Sequence, residues 1–360
     1  MAKRLMKGCE ALAEAAILAG CRYYFGSPVA QQAELSAYLS KHLPLVDGTY
    51  VQAADEISAI NMVYGAAAAG ARVMTSGSST GMSLKQEGIS GIAASELPCV
   101  IVNTMCGGSV AGASCPAQAD YWQATRGGTH GDYRNIVFAP CSVQEMADMT
   151  IAGFNYADRF RTPVLILADS IVSQMMEPVE LPKVPFDYDL DSKKWALGLP
   201  GTNKHNKNVC ASTFTVQDEL EEHNWHLYQK YQVIGNHFNQ ENKELAIEEY
   251  MCDDAEIVLV GYGIIARLLK TVVEKCRKRG VKAGLARPKI LWPFPTQAFK
   301  KLSQNTEKFM VIEMSCGQMV EDVKMAVNGA KPVYFFGRTG GAVPSDFEIF
   351  NEVSKLVCLD

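Results

Sequence analysis

The sequence predicts an α/β protein, a doubly wound and mostly parallel sheet with helices on both faces, followed by a second and smaller α/β domain. Three observations carry that expectation. Short apolar runs alternate with helix-period stretches from the amino terminus to about Asp169. A stretch rich in Pro, Asp, Lys and Asn, from Glu177 to Val209, then breaks the rhythm and reads as a surface connection. A fresh strand, glycine turn, helix and strand follow from Glu256 onward. The expected organisation is a first domain over residues 1–176, a linker and helical connection over 177–250, and a second domain over 251–360.

Taken in order, a helical pattern over Gly8–Ala19 precedes a strand at Tyr23–Phe25. That strand ends in the neutral loop Gly26, Ser27, Pro28, where a doubly wound domain holds its ligands. "TYVQAA" passes into a helix from Asp55 to Ala69, "ARVMTSG" into a helix from Gly81 to Ala94, and "PCVIVNTM" forms the next strand. "SVQE" at Ser142–Glu145 is a capping box that opens the helix running to Phe160, and "RTP" ends it before the strand "PVLILAD". The irregular stretch from Gly107 to Asn135 is long enough to cover something. After the linker a charged helical stretch spans Asp218–Tyr250. "EIVLVGYGIIARLLKTVVEKCRKRGVKAGLARPKILWPFP" gives one βαβ unit, and "KFMVIEMSCGQMVEDVKMAV" and "PVYFFGR" complete the second domain.

Composition narrows the function. The 360 residues are 48% hydrophobic and 20% charged, enough to bury substantial cores. A formal charge of -5 with no Lys/Arg cluster argues against nucleic acid as a partner. Glu10 and Glu14 interrupt the apolar amino-terminal run, far short of the roughly 20 residues of a membrane span, so a cytoplasmic protein is expected. None of the eleven cysteines has a C-x-x-C neighbour, and most of them read as small buried apolar residues in a reducing compartment. "VGYGIIA" lacks the third glycine and the downstream acid of a dinucleotide site and reads as a tight strand-to-helix turn.

Three stretches at strand ends carry chemistry. "QAADEISAIN" places Asp55 and Glu56 at a helix start; Asp55 suits a cap, whereas the small apolar residues that follow would bury Glu56 and raise its proton affinity. "TSGSSTGMSLKQEGI" is a Ser/Gly loop that either binds an anion through backbone N–H groups or caps the helix. "GGTHGDY" brings His130 and Asp132 together between glycines, as a proton-transfer pair or a structured turn.

Together with "MKGCEALAEAAILAGCRYYFG", "DEISAINMVYGAAAAGARVMTS", "SLKQEGIS", "ELPCVIVN", "GTHGDYRNIVFAPCSVQEM", "RTPVLILAD", "LARPKILWPFP" and "VIEMSCGQMVEDV", these segments resemble the alpha subunits of 2-oxoacid:ferredoxin oxidoreductases over almost the whole chain. The likeness is greatest to the branched-chain (2-oxoisovalerate) type. It implies a thiamine diphosphate-binding domain of the pyrimidine type followed by a domain like the carboxyl-terminal one of transketolase. It implies also a beta subunit holding the diphosphate, Mg²⁺ and an iron–sulfur cluster, with gamma and delta subunits alongside. The implied reaction is oxidative decarboxylation of a small 2-oxoacid to its acyl-coenzyme A, with electrons passing to ferredoxin.

The resemblance matches Glu56 to the family's glutamate that hydrogen-bonds the aminopyrimidine and promotes its imino form, the base for the thiazolium C2 proton. Ser27, Pro28, Val29, Ser79, Thr80 and Gly81 fall on the cofactor side, and Ala30, Cys106, Gly107, His130 and Asp132 on the substrate side. The chain departs from the pattern in the opening loop. Where the family has Gly-Tyr-Pro-Ile-Thr-Pro, Gly26–Gln31 places Ala30 at the Thr. Cys106 stands before Gly107 and Gly108 where an Arg would pair with the substrate carboxylate, and Thr80 replaces a usual Pro-Gly. An uncharged Cys makes no bidentate pair with a carboxylate. Two readings follow: a catalytic alpha subunit with an altered 2-oxoacid range, and a divergent paralogue that assembles with a beta subunit but has little activity.

Overall fold

The computed structural model describes residues 3–27, 33–107, 115–182, 193–197 and 208–357. Its first half contains β1 (Arg4–Lys7), α1 (Gly8–Leu18), β2 (Tyr23–Gly26), α2 (Ala33–His42), β3 (Thr49–Gln52), α3 (Glu56–Ala68), β4 (Val73–Ser78), α4 (Ser79–Ala94) and β5 (Cys99–Met105). There follow α5 (Tyr121–Thr125), β6 (Ile136–Phe138), α6 (Val143–Phe160), β7 (Pro163–Asp169), α7 (Ser170–Gln174) and β8 (Met176–Val179). The second half contains α8 (Gln217–Asn236), α9 (Lys243–Ala246), β9 (Ile247–Tyr250), β10 (Ile257–Val260), α10 (Gly263–Lys278), β11 (Ala283–Pro288), β12 (Ile290–Trp292), α11 (Thr296–Asn305), β13 (Lys308–Glu313), α12 (Met319–Val327), β14 (Val333–Gly337) and α13 (Asp346–Leu356).

Two large sheets organise these elements. The first runs β12-β6-β7-β5-β4-β2-β3 and is parallel except at β12; the second runs β14-β13-β10-β11-β9 and is parallel except at β9. Every residue of β4, β5 and β7 is buried, as central parallel strands covered on both faces must be. From β2 the chain goes outward to the edge strand β3 and returns past β2 to β4. The strand order therefore reverses between β2 and β4, and the cleft where a doubly wound sheet binds ligands opens there.

The structure departs from the sequence reading in four places. The expected helix over 218–250 ends at Asn236; after one wide turn and the short α9, "IEEY" becomes β9 and pairs antiparallel with β11, where Arg287 stands opposite Glu248 and donates to it. Glu177, placed at the start of the surface linker, lies in β8, which pairs with β1. β12 leaves the second half to close the edge of the first sheet against β6, a pairing that no local pattern announces. The Ser142 hydroxyl does cap α6 by accepting from Glu145 N at 3.2 Å, but the Glu145 carboxylate reaches Cys141 N and Arg287 instead of closing the box. Among the described residues no helix is long and apolar enough to cross a membrane, and the ten described cysteines are all free.

The "VGYG" turn also has a physical explanation. Gly263, at φ 55°, opens α10, and the carboxylate of Asp169 from the end of β7 accepts from Ile264 N at 2.6 Å. A Cβ at Gly263 would collide with that carboxylate. The helix terminus that a phosphate would need is thus occupied by the protein's own acid.

Candidate active site

The carboxyl ends of β2, β3, β4 and β5 bring together the residues that the sequence singles out. Asp55 is the N-cap of α3, its carboxylate accepting from Ser58 N at 2.7 Å. Glu56, one residue on, turns inward and is 5% exposed, because Ala59, Ile60 and Val63 of the same helix pack into the core. Its Oε1 accepts the hydroxyl of Ser27, the first residue after β2. Its Oε2 meets the ammonium of Lys85, a residue of α4 with no exposed surface. Lys85 also donates to the Ser76 carbonyl of β4 at 3.1 Å. Burial pulls the Lys85 ammonium down to about 8, while the adjoining carboxylate favours its charged form.

Gly81 shapes the same spot. A Cβ there would stand 2.7 Å from Glu56 Oε1, so glycine lets the carboxylate sit close against the first turn of α4. Apart from the Lys85 ion pair, Oε2 has no hydrogen-bond donor among the described residues. The result is a buried, charge-compensated carboxylate with hydrogen-bonding capacity left on Oε2, packed closely against a glycine.

A second cluster lies alongside. Ser79 Oγ accepts from Cys106 N at 3.0 Å and stands within donating distance of the Cys106 carbonyl, 2.8 Å, and of Asp120 Oδ2, 2.6 Å. Asn103 donates to the same Asp120 oxygen at 3.0 Å. Burial raises the proton affinity of Asp120; burial and then the charge of Asp120 raise that of the Cys106 thiol. The Ser/Gly loop therefore ties its hydroxyl to the end of β5, while Thr80 is exposed.

Other expected residues are placed apart from this pair of clusters or beyond description. Gly107 takes φ 78° and donates its N–H to the Cys115 carbonyl at 2.7 Å. His130 and Asp132 are both exposed, and no hydrogen bond joins them among the described residues. Their loop is tied to α4 instead, by Ser90 Oγ donating to the His130 carbonyl at 2.9 Å. Pro28, Val29 and Ala30 lie outside the described residues. Sequence reasoning missed Lys85, Asn103 and Asp120. A signal for Lys85 existed: it falls on the stripe Gly81, Met82, Gln86 and Ile89, the buried face of α4.

Two family models cover most of the chain. The model described as pyruvate flavodoxin/ferredoxin oxidoreductase, thiamine diphosphate-binding, matches residues 14–243, and pyruvate:ferredoxin oxidoreductase core domain II matches residues 255–349. The chain belongs to the 2-oxoacid:ferredoxin oxidoreductase family. A ketoisovalerate oxidoreductase subunit VorB of Methanothermobacter marburgensis is 46% identical over 99% of this chain and 98% of its own length. A 2-oxoglutarate synthase subunit KorA of Methanocaldococcus jannaschii is 34% identical over 97% and 99%.

Among solved structures, the 2-oxoglutarate:ferredoxin oxidoreductase of Magnetococcus marinus, with 2-oxoglutarate, coenzyme A and succinyl-CoA bound, superimposes with a TM-score of 0.83 at 23% identity. It matches 98% of this chain, which spans 65% of that one. An inactive split-gene transketolase tetramer matches 98% of this chain with a TM-score of 0.60 at 12% identity. Both likenesses show the family's fold, thiamine-type sheet first and transketolase-like sheet second. The residues present fit an aminopyrimidine: a ring nitrogen needs a buried carboxylate with a free lone pair, and Glu56 beside Gly81 offers one.

Proposed function

We propose that this chain is the alpha-type subunit of a thiamine diphosphate-dependent 2-oxoacid:ferredoxin oxidoreductase acting on a branched-chain 2-oxoacid, with Glu56 receiving the cofactor's aminopyrimidine. The observation that carries it is the Glu56 carboxylate itself, buried at the β2–β4 switch point, braced by Ser27 and Lys85, closely approached by Gly81 and with Oε2 lacking a hydrogen-bond donor among the described residues. When bound, thiamine diphosphate supplies the carbanion chemistry of 2-oxoacid decarboxylation. Glu56 holds and returns a proton at its carboxylate oxygens; Ser27 fixes their direction; Ser79 ties the neighbouring loop to the backbone of Cys106. The 46% identity with a ketoisovalerate oxidoreductase subunit supports the branched-chain substrate.

The same reading assigns the diphosphate, Mg²⁺ and an iron–sulfur cluster to a beta subunit, with gamma and delta subunits, ferredoxin and coenzyme A completing a cytoplasmic complex. The domain limits at 176 and 250 belong to it as well. Ala30, Cys106 and Gly107 form the substrate side. Cys106, with Asp120 as its charged neighbour, offers a 2-oxoacid carboxylate no cation, and that favours a second reading in which the complex assembles but turns over slowly.

One experiment separates the two. The chain is co-purified with its beta partner and assayed for ferredoxin-dependent oxidation over a panel of 2-oxoacids. Turnover highest on a branched-chain 2-oxoacid is expected; binding of thiamine diphosphate with no turnover on any member selects the paralogue. In the same complex Glu56→Gln is expected to leave assembly intact and slow exchange of the cofactor's C2 proton by about 10²- to 10⁴-fold. Wild-type exchange in that variant removes Glu56 from the mechanism.

A further inference from the structure

The buried lysine beside Glu56 is expensive for the fold to keep. Taking an ammonium out of water costs several kcal/mol, and replacing a buried ion pair by apolar side chains of similar volume is often neutral or stabilising. Lys85 nevertheless lies on the apolar stripe of α4 between Met82 and Ile89, with no exposed surface. Its Nζ is held from below by the Ser76 carbonyl and delivered to Glu56 Oε2, while Ser27 takes Oε1. Both carboxylate oxygens are thereby fixed, each by a donor from a different element. Among the described residues, the titratable groups near this pair include Tyr24 on β2, whose hydroxyl bonds Ser76 Oγ at 2.6 Å, Tyr133, whose hydroxyl donates to Gln86, and Asp120, held on Ser79. None of the three touches the ammonium.

We propose that Lys85 is a positioning residue for the reaction, a fixed cation that holds the Glu56 carboxylate in place and sets how strongly it binds the proton shared with the thiamine aminopyrimidine. The inference rests on the function proposed above and adds to it the group that tunes the proton-transfer site. Lys85 keeps its own proton and acts through charge. A cation in contact with Glu56 weakens the carboxylate as a partner for a protonated ring nitrogen, and so lowers the pH at which the bound aminopyrimidine gives up its proton. The position of Lys85 at about 8 leaves it cationic at neutral pH, as that role requires.

The test uses the assembled complex carrying Lys85→Met or Lys85→Arg. The bound aminopyrimidine is titrated by its near-ultraviolet circular dichroism, and cofactor affinity is measured alongside by calorimetry. In Lys85→Met the titration midpoint is expected to rise by about one pH unit or more, and C2-proton exchange below it to fall about tenfold. Lys85→Arg, which keeps the charge, is expected to restore the wild-type midpoint. An assembled Lys85→Met complex with the wild-type midpoint overturns the proposal. Should Lys85→Met fail to assemble, the uncharged pair Glu56→Gln with Lys85→Met decides: recovery of assembly supports the charge pairing, and no recovery overturns it by making Lys85 a residue of the fold alone. A wild-type complex that binds no thiamine diphosphate would instead defeat the function on which the inference rests.

Discussion

Glu56 and Gly81 show how a single missing methyl shapes the candidate site. A carboxylate taken into the interior must find donors, and Glu56 finds Ser27 and Lys85. Its carboxylate fits against α4 because residue 81 has no Cβ. Gly81 has ordinary helical backbone geometry in α4, so glycine there costs helix stability, up to about 1 kcal/mol relative to Ala. Gly81→Ala is therefore expected to leave the melting temperature of the chain unchanged or higher. Its added methyl, 2.7 Å from Oε1 before relaxation, is expected to push the carboxylate aside and weaken thiamine diphosphate binding by the assembled complex about tenfold, a change of about 1.4 kcal/mol. Calorimetry on that complex checks it, and wild-type affinity would show that the glycine serves only helix packing.

At the level of elements, α10 begins on an acid contributed by another strand, and that acid is a pH-dependent liability. Asp169 is fully buried; burial pushes its carboxyl up to about 7 despite the hydrogen bond from Ile264 N. The folded value lies above the ordinary one near 3.9, so the native state binds more protons than the unfolded state between about pH 4 and 7. Stability from this group is full below about pH 4 and is lost as pH rises through about 7, by at most about 1.4 kcal/mol per pH unit. Asp169→Asn keeps an oxygen for Ile264 N and puts an amide where Oδ1 has no partner. Compared by thermal unfolding, the variant is expected to gain on the wild type between pH 5 and pH 8. A constant difference across that range would show that Asp169 stays protonated or finds a counter-charge.

Elements of this kind also mark the boundary of what could be read from sequence. Central strands such as "PVLILAD" and capped helices such as Ser142–Phe160 are legible because their apolar runs, caps and prolines act within a few residues. β9 and β12 are not, since each is made a strand by a partner far away in the chain, β11 and β6. Glu56 was legible from its position at a strand end. For Lys85 the stripe of α4 could give its burial but not its partner, because only the packing of α4 on β4 and α3 turns its charge toward Glu56.

At the scale of the whole molecule, side chains reaching between the two halves weld the two sheets together. Arg287 of β11, 2% exposed, bridges Glu145 of α6 and Glu248 of β9, and the Gln118 side chain donates to the Tyr262 carbonyl and accepts from Met314 N. By contrast α3 and α4, the helices that carry Glu56 and Gly81, present Ile57 at 52%, Met62 at 39% and Leu84 at 55% exposure. Exposed large apolar side chains on the helices that carry a cofactor site are candidates for cover by a partner surface. If a beta subunit completes the site there, the isolated chain should bind thiamine diphosphate with Mg²⁺ too weakly to measure by calorimetry, and the complex should bind it tightly. Leu84→Glu should change the stability of the isolated chain by no more than about 0.5 kcal/mol, as substitutions at exposed positions do. In the complex it places a charge in the covered core of the interface, where charged residues are depleted, and co-purification of the beta subunit should be lost. Retained assembly would move the docking face away from α4, and tight cofactor binding by the chain alone would mean that the half-site needs no partner.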